Sequence, residues 1–329
     1  MMDDQQGAEL CYPQLLNSSC RGIMRPRTEA ILFYALLSSI AVLTVVLNLL
    51  VIISISHFRQ LHTPTNLLLL SLAISDLLVG LLVMPVEMVR FIETCWLLGN
   101  LMCAMSGIIV FTLTSASVGN MVLISIDRYV AICHPLQYSN QITRSRVELC
   151  VCLCWACSIL YTVLILKEHL RQPDRYNSCF GECVVVINYV SGTVDLVFTF
   201  IGPCVVILVL HMRVFIVAVS QARAIYITGA AVGKVRITAM KSERKAARTL
   251  GIVILVFLIT FCPYYYPSLA GQDISNSASS WAIVTWLLYF NSCLNPLIYA
   301  LFYPWFRKAI KIIVTLKILE QYSSLTNIL

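Results

Sequence analysis

Long apolar blocks alternate with short polar segments along the whole chain. A helix needs about 20 predominantly apolar residues to cross the hydrocarbon core of a bilayer. On this basis we predict seven spans, at residues 28–56, 66–89, 101–126, 148–166, 184–217, 249–270 and 281–303. An outer-membrane barrel is excluded, because its strands alternate with period two over segments of about 10 residues. The pattern therefore predicts an all-α membrane protein, a seven-transmembrane helix bundle.

The polar segments at the two ends complete the predicted organisation. We predict an extracellular N-terminus over 1–27, the bundle over 28–303, an eighth helix over 304–319 and a short cytoplasmic tail over 320–329. The eighth helix is short and amphipathic, since Trp305 and Phe306 are interleaved with basic residues, and it should lie in the inner membrane interface. The sequon Asn17-Ser18-Ser19 makes Asn17 a predicted glycosylation site.

Composition and charge support a membrane protein and exclude a nucleic-acid role. Of the residues, 59% are hydrophobic and only 12% charged, whereas soluble domains carry about 25% charged residues. The net charge of +7 comes from 23 Lys and Arg, sixteen of which fall on one predicted side of the membrane. By the positive-inside rule that side is cytoplasmic, which places the N-terminus outside a plasma membrane. The basic loop 218–248 is either a docking surface for a cytosolic partner or only a topology determinant.

Several other classes of function find no support. Most of the fourteen cysteines lie in apolar blocks and behave as small hydrophobic residues. Cys152, Cys154 and Cys157 do not form a zinc site by spacing, because no His follows at ligand distance. No nucleophile–base pair appears, so an enzyme is not predicted. A transporter is disfavoured because the chain has neither inverted repeats nor paired broken helices.

Asp76, in the middle of the second predicted span, is the first of three acidic residues inside the spans. A charge in hydrocarbon costs about 2.5–3.5 kcal/mol on insertion scales, so such residues are functional candidates. Its polar neighbours on other spans are predicted to be Asn48, Ser117, Asn291, Ser292 and Asn295. A carboxylate with converging oxygen atoms suits a small hard cation, so we predict an allosteric sodium ion held by Asp76, Ser117, Asn291 and Ser292. A hydrogen-bond network without metal is the alternative.

Asp195 lies in the fifth predicted span, about two turns before Pro203, and no Lys or Arg is predicted at its depth. An unpaired buried carboxylate either becomes protonated or accepts a cation from outside. Five aromatic residues at similar depth could enclose an ammonium group: Phe198, Tyr264, Tyr265, Trp286 and Tyr289. We predict a cationic ligand here; the alternative is a protonated Asp195 bonded to a hydroxyl or carbonyl group. Glu87, near the outer end of the second span, is either a second anchor that favours diamines or a solvated residue.

The helix motifs resemble those of class A, rhodopsin-like G protein-coupled receptors over essentially the whole chain. The matching residues are Asn48, Leu72-Ala73-Ile74-Ser75-Asp76, Asp127-Arg128-Tyr129, Trp155, Pro203, Pro263 and Asn295-Pro296-Leu297-Ile298-Tyr299. Two longer stretches, 291–306 and 57–66, are similar to the seventh helix and first inner loop of the trace amine-associated receptors. By this resemblance the chain is identified as a member of that family. Opsins are excluded, since Tyr289 stands where a retinal Schiff base needs Lys.

The resemblance implies a receptor for a small amine that signals through a heterotrimeric G protein of the stimulatory or olfactory class and raises cAMP, in the detection of volatile amines. It implies disulfides between Cys103 and Cys183 and between Cys20 and Cys179, whereas Cys11 and Cys95 are either free or paired. It also implies an inner-face latch between Arg128 and the carboxylates of Asp127 and Glu243, with Tyr129, Asn295, Pro296 and Tyr299 in the switch. Such an ion pair is exchangeable because its net stabilisation is small.

Three departures from the family pattern shape the predicted ligand site. Val110 stands on the third helix where amine receptors usually have Asp, so Asp195 resembles the counterion of the fish-type branch in which it has moved to the fifth helix. Phe261 replaces the Trp before the sixth-helix proline, and His211 replaces the fifth-helix Tyr. The predicted ligand-binding residues are Asp195, Val110, Phe111, Thr114, Phe198, Thr199, Phe261, Tyr264, Tyr265, Trp286 and Tyr289. The alternative function is a class A receptor for a lipid or peptide, with Asp195 structural.

Overall fold

The computed structural model of the chain describes residues 8–328, except residues 24, 173, 176, 186, 229–250, 254, 268 and 270–277. Within these residues, six long helices and one shorter apolar helix occur at the predicted spans, and we number all seven in chain order. They are span 1 (Arg27–His57), span 2 (Pro64–Glu93), span 3 (Gly99–Cys133), span 4 (Arg144–Ile165), span 5 (Tyr189–Val217, continuing to Thr228), span 6 (Gly251–Pro267) and span 7 (Ala278–Phe302). By length and composition, six of them could cross a membrane, and span 6 is a shorter apolar helix.

The bundle buries polar residues and exposes apolar ones, the reverse of a water-soluble fold. Asn48 and Asp76 are fully buried, whereas Leu32 is 69% and Leu160 61% exposed. Large exposed apolar surfaces on a soluble monomer are rare, because each square ångström in water is unfavourable. A hydrocarbon environment removes that cost, so the exposed leucines fit a helix bundle in lipid.

Spans 2 and 5 each contain one π-helical turn shortly before a proline. The turns lie at Val79–Val83, before Pro85, and at Leu196–Ile201, before Pro203. Proline has no N–H and its ring crowds the carbonyl four residues earlier, so the regular ladder of hydrogen bonds is interrupted there. A π turn adds a residue to the turn and rotates the following side chains about the helix axis.

The end of the bundle that is predicted to be extracellular is closed by an N-terminal hairpin and the segment between spans 4 and 5. Strands Ala8–Leu10 and Arg21–Ile23 pair antiparallel, and the exposed Asn17 lies in the turn between them. The nitrogen of Cys20 donates to the oxygen of Phe180 at 2.8 Å, and the nitrogen of Phe180 donates to the oxygen of Ser18 at 2.8 Å. The hairpin therefore lies directly on this segment, which includes the short helix Lys167–Arg171.

Three disulfides hold these outer elements together. The Cys103–Cys183 and Cys20–Cys179 bonds implied by the resemblance are confirmed. The structure also joins Cys11 to Cys95, the pairing that the sequence leaves open. Cys11 lies next to the first strand and Cys95 follows the end of span 2, so the N-terminal hairpin is fixed at two points.

The opposite end of the bundle, predicted to be cytoplasmic, carries short helices and a folded C-terminal segment. The helices are Arg59–Leu61, Pro135–Gln141, Pro304–Val314, Lys317–Leu319 and Ser323–Leu325. The helix from Pro304 buries Trp305 and Phe306, but it ends five residues before the predicted 319, since Leu316 has a left-handed φ of 56°. Its location at a membrane interface stays a prediction.

The last residues fold back onto the first inner loop. Ser323 lies 3.0 Å from the Nε2 atom of His57, and its hydroxyl donates to the oxygen of Ile318 at 2.7 Å. The nitrogen of Ile328 donates to the Oε1 atom of Gln60 at 3.3 Å, and the Ile328 side chain is fully buried. The C-terminal segment is thus part of the packed inner face.

Candidate functional site

The Asp195 carboxylate is buried, with 6% of the residue exposed, and hydroxyl groups from spans 4, 5 and 6 surround it. The Tyr161 hydroxyl donates to Oδ1, and the Thr199 hydroxyl donates to the same atom at 3.0 Å. The Tyr265 hydroxyl donates to Oδ2 at 3.3 Å. Across the described residues, the ion pairs involve other carboxylates and none involves Asp195. When this carboxylate is ionised, only neutral dipoles balance its charge, and they compensate a buried charge only in part.

The π turn of span 5 begins directly after Asp195 and brings Thr199 to its carboxylate. The Thr199 hydroxyl also contacts the Asp195 backbone oxygen at 2.5 Å and the Tyr265 hydroxyl at 2.7 Å. A Cβ atom on Gly202 would lie 2.9 Å from the oxygen of Val197, so a larger residue would not fit this wide turn. The Gly202-Pro203 pair thus explains why the helix is irregular beside Asp195.

Aromatic rings line one side of the hydroxyl cluster. The Tyr265 ring stacks on Phe200 with centroids 4.9 Å apart, and Tyr264 meets Tyr265 edge-on at 4.9 Å. Tyr264 also packs on Trp281, with centroids 5.1 Å apart. Offset-stacked and edge-on pairs are the favoured arrangements of aromatic rings. The predicted Tyr264 and Tyr265 are therefore brought together at Asp195.

The structure changes part of the predicted aromatic set. Phe198 is 69% exposed and faces away from the bundle, whereas Phe200, which the sequence does not single out, is buried. Regular helical spacing from Asp195 favours Phe198, and the π turn rotates Phe200 inward instead. Trp286 and Tyr289 are buried on span 7, in edge-on contact at 6.2 Å.

Tyr161 is the other residue at Asp195 that sequence reasoning missed. It belongs to span 4, and its hydroxyl donates to the carboxylate. The available signal was its position near the outer end of an antiparallel neighbouring helix, at a depth similar to Asp195.

Three of the predicted ligand-binding residues belong to span 3. Val110, Phe111 and Thr114 are half-buried. Val110 lines a cavity between spans 2 and 3 that also includes Glu87. Phe261 is buried one turn below Tyr265 and packs on Phe257, with ring centroids 4.3 Å apart.

Glu87 is already paired in the structure. Its Oε1 atom lies 3.3 Å from the Nη1 atom of Arg90, one turn later on span 2. The Arg90 guanidinium also donates to the backbone oxygen of Cys183 and lies 5.9 Å from the centre of the Trp96 ring.

Asp76 is fully buried at the centre of a second polar cluster. Its Oδ1 atom accepts from the hydroxyls of Ser292 at 2.8 Å and Ser117 at 3.4 Å. Its Oδ2 atom accepts from the Nδ2 atom of Asn295 at 2.8 Å, and that nitrogen lies 3.3 Å from the Oδ1 atom of Asn291. Carboxylate, hydroxyl and amide oxygens fit the donor set of a small hard cation. The sodium ion stays a prediction.

The same cluster ties spans 1, 6 and 7 together. The Nδ2 atom of Asn48 donates to the oxygen of Ser292 at 3.0 Å, and the Nδ2 atom of Asn291 donates to the hydroxyl of Thr260 at 3.0 Å. Span 7 continues through Pro296 to Tyr299, which is buried and meets Tyr303 edge-on at 6.0 Å.

Arg128 pairs with the neighbouring Asp127 near the inner end of span 3. The hydroxyl of Thr65 lies 2.5 Å from Arg128 Nη2 and donates to Asp127 Oδ2 at 3.0 Å, and the Tyr138 hydroxyl donates to Asp127 Oδ1 at 2.9 Å. Burial raises the pKa of Tyr138, so this hydroxyl is a neutral donor. The half-buried Tyr129 hydroxyl lies 3.4 Å from His134 Nε2.

Some predicted features lie beyond the described residues. Glu243, the second carboxylate of the predicted latch, falls within 229–250, as does most of the basic loop.

His211 of span 5 is half-buried, and its Nε2 atom is buried without a partner among the described residues. That environment suits a neutral packing histidine.

Comparison with known proteins points to one family. The sequence profile of the 7 transmembrane receptor (rhodopsin family) matches residues 47–299. The chain is 38% identical over 330 residues to trace amine-associated receptor 13c of Danio rerio, covering 98% of this chain and 96% of the relative. It is 41% identical over 332 residues to trace amine-associated receptor 9 of Mus musculus, covering 97% and 94%. Trace amine-associated receptor 6 of Pan troglodytes is 38% identical over 333 residues, covering 97% and 95%.

Proposed function

The chain belongs to the rhodopsin family of 7 transmembrane receptors and, within it, to the trace amine-associated receptors, and from this premise we propose that it is activated by a small cationic amine whose ammonium group pairs with Asp195. It is a multi-pass membrane receptor and not an enzyme. The proposal adds the chemical class of ligand and the residue that holds it.

The buried, cation-free environment of Asp195 is the observation that carries this proposal. Its carboxylate meets three hydroxyl groups and no positive charge among the described residues. A charged carboxylate in such surroundings gains strongly from an incoming cation, since charge-assisted hydrogen bonds are about twice as strong as neutral ones. The adjoining rings of Tyr264 and Tyr265 offer apolar surface and electron-rich faces to an ammonium group.

The amine lies in the outer half of the bundle, with its charge toward spans 5 and 6 and its apolar body toward Val110. An amine that binds the active arrangement more tightly shifts a pre-existing equilibrium toward it. Span 6 then moves away from Arg128, and the inner face accepts a heterotrimeric G protein. Because the side chains of Arg128 and Asp127 are only 20% and 2% exposed, contacts with the G protein must compensate the charge that this exchange leaves unpaired.

The family resemblance also supports proposals about the location, glycosylation and signalling of the receptor. We propose a plasma-membrane location with the N-terminus outside, glycosylation at the exposed Asn17, coupling to a stimulatory or olfactory G protein that raises cAMP, and a role in olfaction. When sodium is bound, Asp76, Ser117, Asn291 and Ser292 supply its oxygen ligands, and the ion neutralises the Asp76 charge.

A concentration–response assay on amines and their isosteric alcohols tests the ligand class. The wild-type chain and Asp195→Asn are expressed in cells, and cAMP and surface amount are measured. We expect wild type to respond to amines and not to the alcohols, and Asp195→Asn to lose about 100-fold or more in amine potency, as for a desolvated charge pair. Glu182→Gln is the matched control, because Glu182 bonds to Ser178 within its own loop at 2.7 and 2.8 Å.

A receptor for a lipid or peptide is the second candidate. The observation that favours it is the set of three hydroxyl donors, which satisfies Asp195 as a structural residue. It predicts no amine response and full tolerance of Asp195→Asn, so the same assay separates the two functions.

A further inference from the structure

Glu87 and Arg90 form an ion pair at the outer end of span 2, on the side of the bundle that receives the ligand. The Oε1–Nη1 distance is 3.3 Å, with the side chains 14% and 31% exposed. The pair spans one helical turn, so its geometry is set by the backbone of span 2. A partly buried pair is screened by solvent less than one at the surface.

Arg90 is held at this position by three other contacts. Its guanidinium donates to the backbone oxygen of Cys183 and lies 3.5 Å from the Cys183 sulfur. Cys183 is joined to Cys103 of span 3, so the acceptor belongs to a covalently fixed segment. The guanidinium also lies 5.9 Å from the centre of the Trp96 ring. Arg90 is therefore an anchored cation and not a mobile surface residue.

Glu87 reaches the region where the amine is proposed to bind. It lines the cavity between spans 2 and 3 together with Met105, Ser106 and Val110. Because the proposed amine places its apolar body toward Val110, a linear diamine with one ammonium group at Asp195 would carry its second ammonium group toward Glu87.

The Glu87 carboxylate is already paired with Arg90 of the same chain. His169 is another titratable group near Arg90, and burial, with the nearby Arg90 charge, lowers its pKa, so it is neutral. Glu87 and Arg90 consequently form a neutral pair on this side, whereas Asp195 on the other side has no cation among the described residues.

We propose that Arg90 is a specificity-determining residue that occupies Glu87 and restricts this receptor to amines with a single ammonium group. This inference rests on the proposed function, because it concerns the ligand of Asp195. A diamine must either displace an anchored guanidinium or place its second charge beside Arg90, at a pair that is only partly exposed. Both are unfavourable, so selectivity here comes from a repulsive element.

The test compares monoamines and diamines of equal chain length on wild type and on Arg90→Gln. The probes are a series that begins with pentylamine and pentane-1,5-diamine, with cAMP and surface amount as readouts. Wild type should prefer the monoamine by about tenfold or more, and Arg90→Gln should raise diamine potency by about tenfold while changing monoamine potency by less than about threefold. Arg90→Lys, which keeps the charge, should retain the wild-type preference.

Two further variants make the result decisive. Glu87→Gln in the wild-type background should not raise diamine potency, because it leaves the Arg90 charge unpaired, and in the Arg90→Gln background it should remove the gained diamine response. The proposal is overturned by a wild-type preference for diamines, by a loss of diamine response in Glu87→Gln alone, or by an unchanged preference in Arg90→Gln. If Arg90→Gln does not reach the surface, the Glu87→Gln and Arg90→Lys results decide. If the wild-type receptor reaches the cell surface and gives no cAMP response to any amine, the proposed function is overturned as well as this inference.

Discussion

Asp76 and Asp195 are both buried carboxylates with three neutral hydrogen-bond partners, and the chemistry of those partners differs. The partners of Asp76 are two serines and the amide nitrogen of Asn295. The partners of Asp195 are hydroxyls only, two of them from tyrosines. An amide nitrogen can only donate, whereas a hydroxyl can donate or accept.

This difference indicates which cation each cluster suits. An ammonium group is itself a donor, so it would meet the Asn295 nitrogen unfavourably at Asp76. At Asp195 every neighbouring oxygen can turn to accept, and aromatic rings lie close by. Asp76, fully buried and bonded across several spans, is better suited to a small ion or to a structural network.

Replacing each carboxylate with Asn tests most directly whether Asp76 and Asp195 have separate roles. Asp195→Asn should weaken the affinity of the most potent amine by about 100-fold or more, and Asp76→Asn by less than about threefold, because only the first removes a desolvated charge partner. Ligand binding to membranes from expressing cells gives both affinities. Equal losses in the two variants would refute the assignment of separate roles.

Removing one hydroxyl at Asp195 should have a smaller effect. Tyr161→Phe deletes a donor to the carboxylate, and a hydrogen bond to a charged group contributes about 1.5–3 kcal/mol, so we expect amine potency to fall about tenfold or more. Tyr189→Phe is the control, since Tyr189 is 90% exposed. Equal potencies for the two variants would mean that Tyr161 does not position Asp195 for the ligand.

Sodium should distinguish the clusters by thermal stability. An ion that binds only the folded state raises stability by mass action, so replacing potassium chloride with sodium chloride should raise the Tm of the purified receptor by about 2–4 °C. Asp76→Asn should abolish this shift, and Asp195→Asn should keep it. If Asp76→Asn keeps the sodium-induced shift in Tm, Asp76 does not bind the ion and acts only in the hydrogen-bond network.

The smallest effect is expected within the Asp76 cluster. Ser117 contacts the carboxylate at 3.4 Å and Ser292 at 2.8 Å. Ser117→Ala should therefore destabilise by less than about 1 kcal/mol, and Ser292→Ala by more, as longer hydrogen bonds are weaker. Thermal unfolding of the two variants under identical conditions measures the order, and the reverse order would contradict it.

Sequence predicts the spans of this fold well and the details of its sites less well. Span positions follow from bilayer thickness, which imposes a long apolar block wherever the chain crosses. The burial of Asp76 and Asp195 was predicted for the same reason, since a lone charge in such a block must avoid lipid.

What escaped prediction depends on local irregularity or on contacts between distant residues. The π turn before Pro203 exchanges Phe198 for Phe200, and side-chain direction after such a turn does not follow regular helical spacing. Tyr161 meets Asp195 from another helix, and the Cys11–Cys95 bond joins residues 84 positions apart. The N-terminal strands have three residues each, too few to show alternation.

The burial of Ile328 has a practical consequence for reporter fusions. A fluorescent protein inserted directly after this residue would be attached at a position that is packed against the first inner loop. Folding of the bulky partner would then compete with that packing, and a measured signal would describe an altered cytoplasmic surface. A label on the outer turn that carries Asn17 would leave this surface intact.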